Sequence, residues 1–434
     1  MIPAGLCSAA GSPVEQGIDS ALESSREELV AIYRDLHAHP ELSGQEERTA
    51  AIIAEFLRGN GFDVTTGVGG HGVVGVLEGK GPGPVVAYRA DMDAVRSADP
   101  DVVPYASVYP GIRHICGHDL HVTVGLGIAR AMSANRESFR GTVKLIFQPA
   151  EENTTGAKAM IDDGVLKHPA PEAIFAVHTA PLEVGQIGVV DGMILPGIDS
   201  VTVRISGNED TVARAVATVR DVFLSTSTLP PPGAPAADTS DASNPDASNP
   251  DASSAAISEP AGAPSSLADL GVRDFIYSGI WEATDDPDSG GGVLVRAFVK
   301  ASSETAYAVA KDRITRGLQS LSEFDVQYSV SYEDRTLPDT INDSALVAST
   351  RETLRRVVGV SNVIEVEEAV PYNGEDFSHF LQAIPGAMYW LGAANTEKGI
   401  TGMPHSADFS IDEEAIIVGA RTMTSVIFDY ALGR

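Results

Sequence analysis

Short apolar runs that each end in a chemically active side chain constrain this chain most. Residues 72–77, 85–88, 143–147 and 173–177 are apolar stretches of strand length, and helical spacing fills much of the sequence between them. Runs of this kind alternating with helices fit strands buried on both faces, an α/β sheet covered by helices. Ligands of such sheets gather at the strand ends and in the loops that follow. Asp91 follows 85–88, Glu151 follows 143–147, and His178 follows 173–177. The pattern therefore predicts that they share one edge of a sheet, with Cys116 in a similar place.

Helical spacing over residues 24–39 puts Leu29, Ile32, Tyr33 and Leu36 on one face, and Pro40 ends it. Ser43-Gly44-Gln45-Glu46 has the form of a capping box opening a second helix, which stops at 59–61. A third helix is expected over 121–135. The character changes near Asp199: strand 200–206, helix 210–224, strands 275–281 and 293–299, helix 305–321 and strand 326–332. The fold class that follows is α/β: a mixed, largely parallel sheet with helices on both faces, plus an inserted smaller α+β domain of order β-α-β-β-α-β. The expected division is a tail at 1–24, a larger domain at 25–198 and 336–434, and a small domain at 199–335. Within the last, the repeats Asp241-Ala-Ser-Asn-Pro and Asp246-Ala-Ser-Asn-Pro lack apolar anchors, so 230–266 is expected to be disordered.

A length of 434 residues exceeds one ordinary core, which supports two domains. The net charge of −30 opposes binding to nucleic acid and to anionic lipid. No apolar run is long enough to span a membrane. Residues 1–24 do not read as a secretory signal, and two cysteines, Cys7 and Cys116, make no disulfide framework. A reduced cytoplasm is the expected setting.

Cys116-Gly117-His118-Asp119-Leu120-His121 places four potential metal-binding side chains within six residues. The adjacent carboxylates Glu151-Glu152, and later His178 and His405, add imidazole and carboxylate donors. Thiolate, imidazole and carboxylate together suit zinc, and also nickel, cobalt or manganese. Side chains of successive residues diverge at a strand end, so one of Glu151 and Glu152 can bind a cation while the other accepts a proton from water. Asp91 and Asp93 could bind metal, orient a ligand histidine, or form a salt bridge with Arg89. Asp119 and His121 are candidates for supporting positions around the ligands, and His121 for the start of a helix. His37 and His39 read as packing or capping a helix end.

These residues lie in motifs that resemble the M20 metallopeptidase family, in the amidohydrolase branch of hippurate hydrolases, aminoacylases and indole-acetyl-amino-acid hydrolases. The motifs are Leu36-His-Ala-His-Pro-Glu-Leu-Ser43, Arg89-Ala-Asp-Met-Asp-Ala94, Cys116-Gly-His-Asp-Leu-His121, Gln148-Pro-Ala-Glu-Glu152, Gly374-Glu-Asp-Phe-Ser378 and His405-Ser-Ala-Asp-Phe409. The resemblance implies that Cys116, His118, Glu152, His178 and His405 ligate two divalent metal ions and that Glu151 is the general base. It implies hydrolysis of the amide bond of N-acyl amino acids or small peptide-like conjugates by metal-activated water. It also implies a small domain that covers the site and joins a homodimer. Arg296 and Asn342 match family positions that would hold a substrate carboxylate. The chain departs from the family where a histidine-bearing segment usually follows the first small-domain strand: no histidine occurs between His178 and His379. That departure leaves two alternatives to weigh, a hydrolase of an activated amide or carbamoyl metabolite and a non-catalytic ligand-binding relative. Retention of Glu151 and all five ligand types argues against the second.

Overall fold

The computed structural model of the protein describes residues 12–230, 275–287, 292–367 and 369–433. Its main sheet has eight strands, in the spatial order Asp63–Val68, Gly72–Glu78, Thr142–Gln148, Val85–Asp91, Ala173–Glu183, Gly386–Ala394, Ile187–Val189 and Val363–Glu365. The four central strands, from Thr142–Gln148 to Gly386–Ala394, run parallel. Gly72–Glu78 and Asp63–Val68 extend the sheet antiparallel on one side, and Ile187–Val189 joins Gly386–Ala394 antiparallel on the other. The central strands are apolar along nearly their whole length because both faces are covered. Tyr88, Leu145, Phe175 and Tyr389 enter one apolar cluster, and their neighbours Ala87, Ile146, Ile174 and Met388 enter the other.

The first cluster packs beneath the helices Pro13–Ala38, Glu47–Gly59, His118–Ala134, Ser344–Val358 and Glu414–Ala431. The helix His118–Ala134 is buried almost all round, pressed between the sheet and the helices Pro13–Ala38 and Glu414–Ala431. Gly127 permits that approach, since a Cβ there would lie 2.6 Å from the Cβ of Ala420. The helices Gly156–Asp162 and Ser378–Ala383 cover the opposite face.

Three helix starts differ from the sequence expectation. The first helix begins at Pro13, so half of the expected 1–24 tail is helical. Ser12 and Glu15 form a capping box there, and Ile18, Ala21 and Leu22 are buried. The second helix begins at Glu47, and Ser43 caps nothing: its hydroxyl donates to Asp93 Oδ2 at 2.7 Å. Glu46 instead accepts from the backbone N–H of Gly44 and of Ala150, at 2.9 and 2.8 Å. The third begins at His118 rather than at 121.

The inserted unit is a four-stranded antiparallel sheet, ordered Ile276–Asp286, Gly292–Ala301, Ile198–Gly207 and Val326–Leu337. The helices Glu209–Thr226 and Glu304–Leu318 complete the β-α-β-β-α-β order. Alternate residues Val201, Val203, Ile205, Val295, Ala297 and Val299 enter a separate apolar cluster with these helices. That separate core supports a division at 198/199 and 335/336, which we propose as the domain limits, with the larger unit reaching back to Pro13. Arg335 binds both crossings between the units, pairing with Asp199 at 2.6 Å and Asp339 at 2.9 Å. The insert expected to be disordered, 230–266, lies outside the described residues except for Pro230. Among the described residues no helix is long and apolar enough to cross a membrane.

Candidate metal centre

The carboxyl ends of the parallel strands and the turns beyond them bring the candidate donors together. Gly117 bends the chain between Cys116 and His118, with φ +86°, and a Cβ there would meet Thr179 Cγ2 at 2.7 Å. Only glycine fits both the conformation and the space. Glu151 and Glu152 follow the strand Thr142–Gln148 through Ala150, whose φ of +54° is held by its hydrogen bond to Glu46. His178 lies within the strand Ala173–Glu183. His405 also has a left-handed backbone, φ +67°, and its N–H donates to Ile115 O at 2.6 Å. This ties the His405 loop to the residue beside Cys116.

Neighbouring groups fix which ring nitrogen faces inward. His178 Nδ1 donates to Thr179 O at 2.9 Å, which turns the lone pair of Nε2 toward Cys116 Sγ, 3.5 Å away. His118 Nδ1 lies 3.2 Å from Asp93 Oδ1. Its Nε2 then sits 3.8 Å from each of Asp91 Oδ1, Glu151 Oε2 and Glu152 Oε1. His405 Nε2 is 3.6 Å from Glu152 Oε1. Among the described residues five donor groups each fit within 4.8 Å: Asp91, His118 and His121; Glu151, Glu375 and Asp376; Cys116, His118 and His178; Cys116, Glu152 and His405; and His118, Glu151 and Glu152. Cys116 belongs to two of them.

These residues fit a cation. Among the described residues, His118 Nε2 and Glu152 Oε1 are buried with no partner at normal hydrogen-bond geometry. Such an atom costs about 1–3 kcal/mol when nothing satisfies it. A cation between them removes that cost, and sulfur, nitrogen and oxygen donors together suit the borderline transition metals.

The remaining candidates divide clearly. His121 donates from Nδ1 to Asp91 Oδ1 at 2.6 Å and accepts at Nε2 from Thr179 N at 2.9 Å. It has no lone pair left for a metal, and supports the site instead. Asp91 also accepts from Arg89 at 2.5 Å, so it both orients a histidine and forms the salt bridge. Asp93 holds His118 and accepts from Glu152 N at 3.0 Å. Asp119, next to His118 on the first turn of the helix, faces His37, at 2.7 Å, rather than a candidate donor. Asn342 is also corrected. Its amide donates to Val190 O and Met388 O and accepts from Met388 N, at 3.0, 2.9 and 2.8 Å. Every polar atom it has holds backbone, which leaves none for a substrate carboxylate. Arg296 is exposed on the small sheet and pairs with Glu282 there, a surface ion pair rather than a carboxylate clamp.

Glu375, Asp376 and Gln148 carry no role in the local sequence pattern. All three surround the fully buried Arg89: its guanidinium donates to Glu375 at 2.9 Å, Asp376 at 3.2 Å and Gln148 Oε1 at 2.9 Å. One cation thus faces Asp91, Glu375 and Asp376. The motif Gly374-Glu-Asp-Phe-Ser378 was the available signal, but nothing local links it to Arg89.

Proton affinities follow from this crowding. Burial pushes Glu151 well above the usual carboxylate range, and the charges of Glu375, Glu152 and Asp376 push it further. Burial lifts Glu152 to about 7, although His118 opposes the rise. Burial lowers His178 and His405 to about 4. Below pH 7 a cation must therefore displace the Glu152 proton, whereas His178 and His405 are neutral and ready to bind. Affinity should rise as pH rises through 7 and keep rising above it, because Cys116, pushed up by burial, and His118, raised by Asp91 against its own burial, also hold protons that a cation must displace. A competition titration with a chromogenic chelator should show binding at least about tenfold tighter at pH 8 than at pH 6. Equal affinities would contradict this assignment of Glu152.

Comparison with known proteins agrees with this geometry. The family model of Peptidase family M20/M25/M40 matches residues 87–429. The protein YhaA of Bacillus subtilis (strain 168) is 31% identical over 424 residues, covering 96% of this chain and 98% of its own. IAA-amino acid hydrolase ILR1-like 4 of Arabidopsis thaliana is 31% identical over 406 residues, covering 93% of this chain and 86% of its own. The crystal structure of the Bacillus subtilis YXEP protein, described as a dinuclear metal-binding peptidase from the M20 family, superposes with a TM-score of 0.71. It is 24% identical and covers 95% of this chain and 99% of its own, which shows a shared fold. With its family motifs gathered at one sheet edge and the match extending over most of its length, the chain belongs to peptidase family M20/M25/M40.

Proposed function

We propose that the protein is a metal-dependent amidohydrolase that cleaves the amide bond of N-acyl amino acids or small peptide-like conjugates. Cys116, His118, Glu152, His178 and His405 would hold a pair of divalent ions, of zinc, manganese, nickel or cobalt. The observation that carries this reading is the carboxylate of Glu151, buried beside the proposed ligands at 3.8 Å from His118 Nε2 and outside the ligand set. When bound, the ions supply Lewis acidity, polarising an amide carbonyl and making water a better acid. Glu151 takes a proton from that water at a carboxylate oxygen. Burial and the carboxylates around it raise its proton affinity, and cations held beside it would lower that affinity again, which would let it start as a base and later give the proton to the departing amine nitrogen. Asp93 orients His118, while Asp91 holds His121 beside it. The name of the Arabidopsis relative, an IAA-amino acid hydrolase, supports an acylated amino acid as the substrate class.

One feature favours the alternative reading, in which the same site acts on a different bond. The strand Ile198–Gly207 passes straight into the helix Glu209–Thr226, with the Asn208 side chain capping it through Thr211 N at 3.0 Å. No histidine in this segment reaches a tetrahedral intermediate, and losing one such donor costs about a hundredfold or more in rate. An activated amide or carbamoyl link would tolerate that loss better than an ordinary amide. We also propose a cytoplasmic setting, where Cys116 stays reduced, and a homodimer built through the small domain.

The test is release of free amine from a panel of N-acyl amino acids, dipeptides and N-carbamoyl amino acids by the metal-loaded protein. Turnover of the acylated class that stops on chelation and returns with metal is the expected result. A fully metal-loaded protein that turns over none of the panel would favour a ligand-binding relative.

A further inference from the structure

We propose that His37 is a positioning residue of the metal centre, fixing through Asp119 and Asp101 the segments that carry Cys116, His118 and His405. The inference rests on the metal-binding reading above but concerns residues outside the ligand set. His37 comes from the last turn of the helix Pro13–Ala38 and is almost wholly buried. Its Nδ1 lies 2.7 Å from Asp119 Oδ2 and its Nε2 lies 3.2 Å from Asp101 Oδ2. Two carboxylates facing two ring nitrogens require both nitrogens to donate, so the ring is an imidazolium. Burial disfavours that charge, yet the hydrogen bonds to Asp101 and Asp119 raise His37 to about 9.

Each end of this bridge leads to ligands. Asp119 follows His118 on the first turn of its helix, so anchoring Asp119 sets the rotation of that turn and hence the direction of His118. Asp119 has few other options, since its second oxygen accepts only from Leu120 N, at 2.9 Å. On the other side, Asp101 Oδ1 accepts from Arg113 at 3.2 Å, and Arg113 also donates to Ala407 O at 3.1 Å. Arg113 lies just before Cys116 in the chain, and Ala407 just after His405. The backbone bond from His405 N to Ile115 O, at 2.6 Å, closes the same loop. A run of buried polar contacts thus joins His118, the Cys116 approach and the His405 loop, and His37 is its only link between Asp119 and Asp101 among the contacts described. Residues that orient metal ligands typically change affinity by about 10–100-fold when removed. The same scale is expected here, because the spacing of three donors depends on one ring.

The experiment measures the zinc dissociation constant, by competition with a chromogenic chelator, for the parent protein and for His37→Ala, His37→Asn and His37→Gln. The melting temperature is measured in parallel. His37→Ala should bind zinc about tenfold or more weakly. His37→Asn keeps an N–H where Nδ1 was, facing Asp119, and should recover most of the loss. His37→Gln keeps its N–H toward Asp101 and should recover less. A merely structural role would move the melting temperature without that order of affinities. Parent-like zinc affinity in His37→Ala would overturn the proposal. If the alanine variant does not fold, equal affinities in the folded asparagine and glutamine variants would overturn it. A parent protein that binds no zinc, manganese, nickel or cobalt would instead sink the metal reading itself, a distinct result.

Discussion

Glu151→Ala should lower kcat on the best N-acyl amino acid about a thousandfold, with the bound metal content unchanged. The size follows from removing a general base and acid in one substitution, an effect of about 10²–10⁴-fold. Metal content should survive because Cys116, Glu152, His178 and His405 are untouched, and His118 keeps Asp93 as its partner. The melting temperature of the variant should equal or exceed that of the parent. Glu151 is buried near Glu375, Glu152 and Asp376, and each of them opposes its ionisation. Removing it relieves that crowding, a common stability cost of a reactive site. Steady-state kinetics with elemental analysis checks the prediction. A variant with unaltered kcat would remove Glu151 from its assigned role, and a variant that lost metal would make it a ligand.

Cys116→Ala should abolish turnover through the metals rather than through proton transfer. Cys116 Sγ belongs both to the group with His118 and His178 and to the group with Glu152 and His405. Its loss should weaken both halves of the centre, whereas His178→Ala should weaken one. Turnover is expected to fall at least about a thousandfold, because both carbonyl polarisation and water activation depend on the ions. The comparison to make is metal content and kcat for the two variants side by side. If Cys116→Ala kept full metal content while His178→Ala did not, the shared role of the thiolate would fail.

The parts of the fold written in local pattern were legible. Apolar runs marked the central strands because both faces are covered, and strand ends pointed to Asp91 and Glu151, whereas His178 lies inside a strand that runs on to Glu183. The helix over 13–24 was equally visible in principle: Ile18, Ala21, Leu22, Ser25 and Leu29 keep one face, and Ser12-Pro13 with Glu15 signals its start. The polar residues between them obscured it. Helix phase, which no local pattern fixes, decides where Asp119 faces. Once the helix is taken to begin at His118, residues three apart share a face, so His121 stays beside His118 while Asp119 turns away. Ser43 met a capping pattern but found a stronger acceptor in the buried Asp93. Arg296 and Asn342 were assigned by resemblance alone, and their partners, Glu282 and the backbone of the strand Gly386–Ala394, are set by tertiary packing. Arg89 with Glu375 and Asp376 joins segments far apart in sequence, and no periodicity reports such a pairing.

Whether this chain gathers its donors around cations is tested most directly by counting metal. The protein should be purified, stripped, reloaded with zinc or manganese at pH 8, and measured by native mass spectrometry. Two divalent ions per chain, lost together with turnover on chelation, is the predicted result. A folded protein that takes up neither metal at that pH would contradict the account at its root.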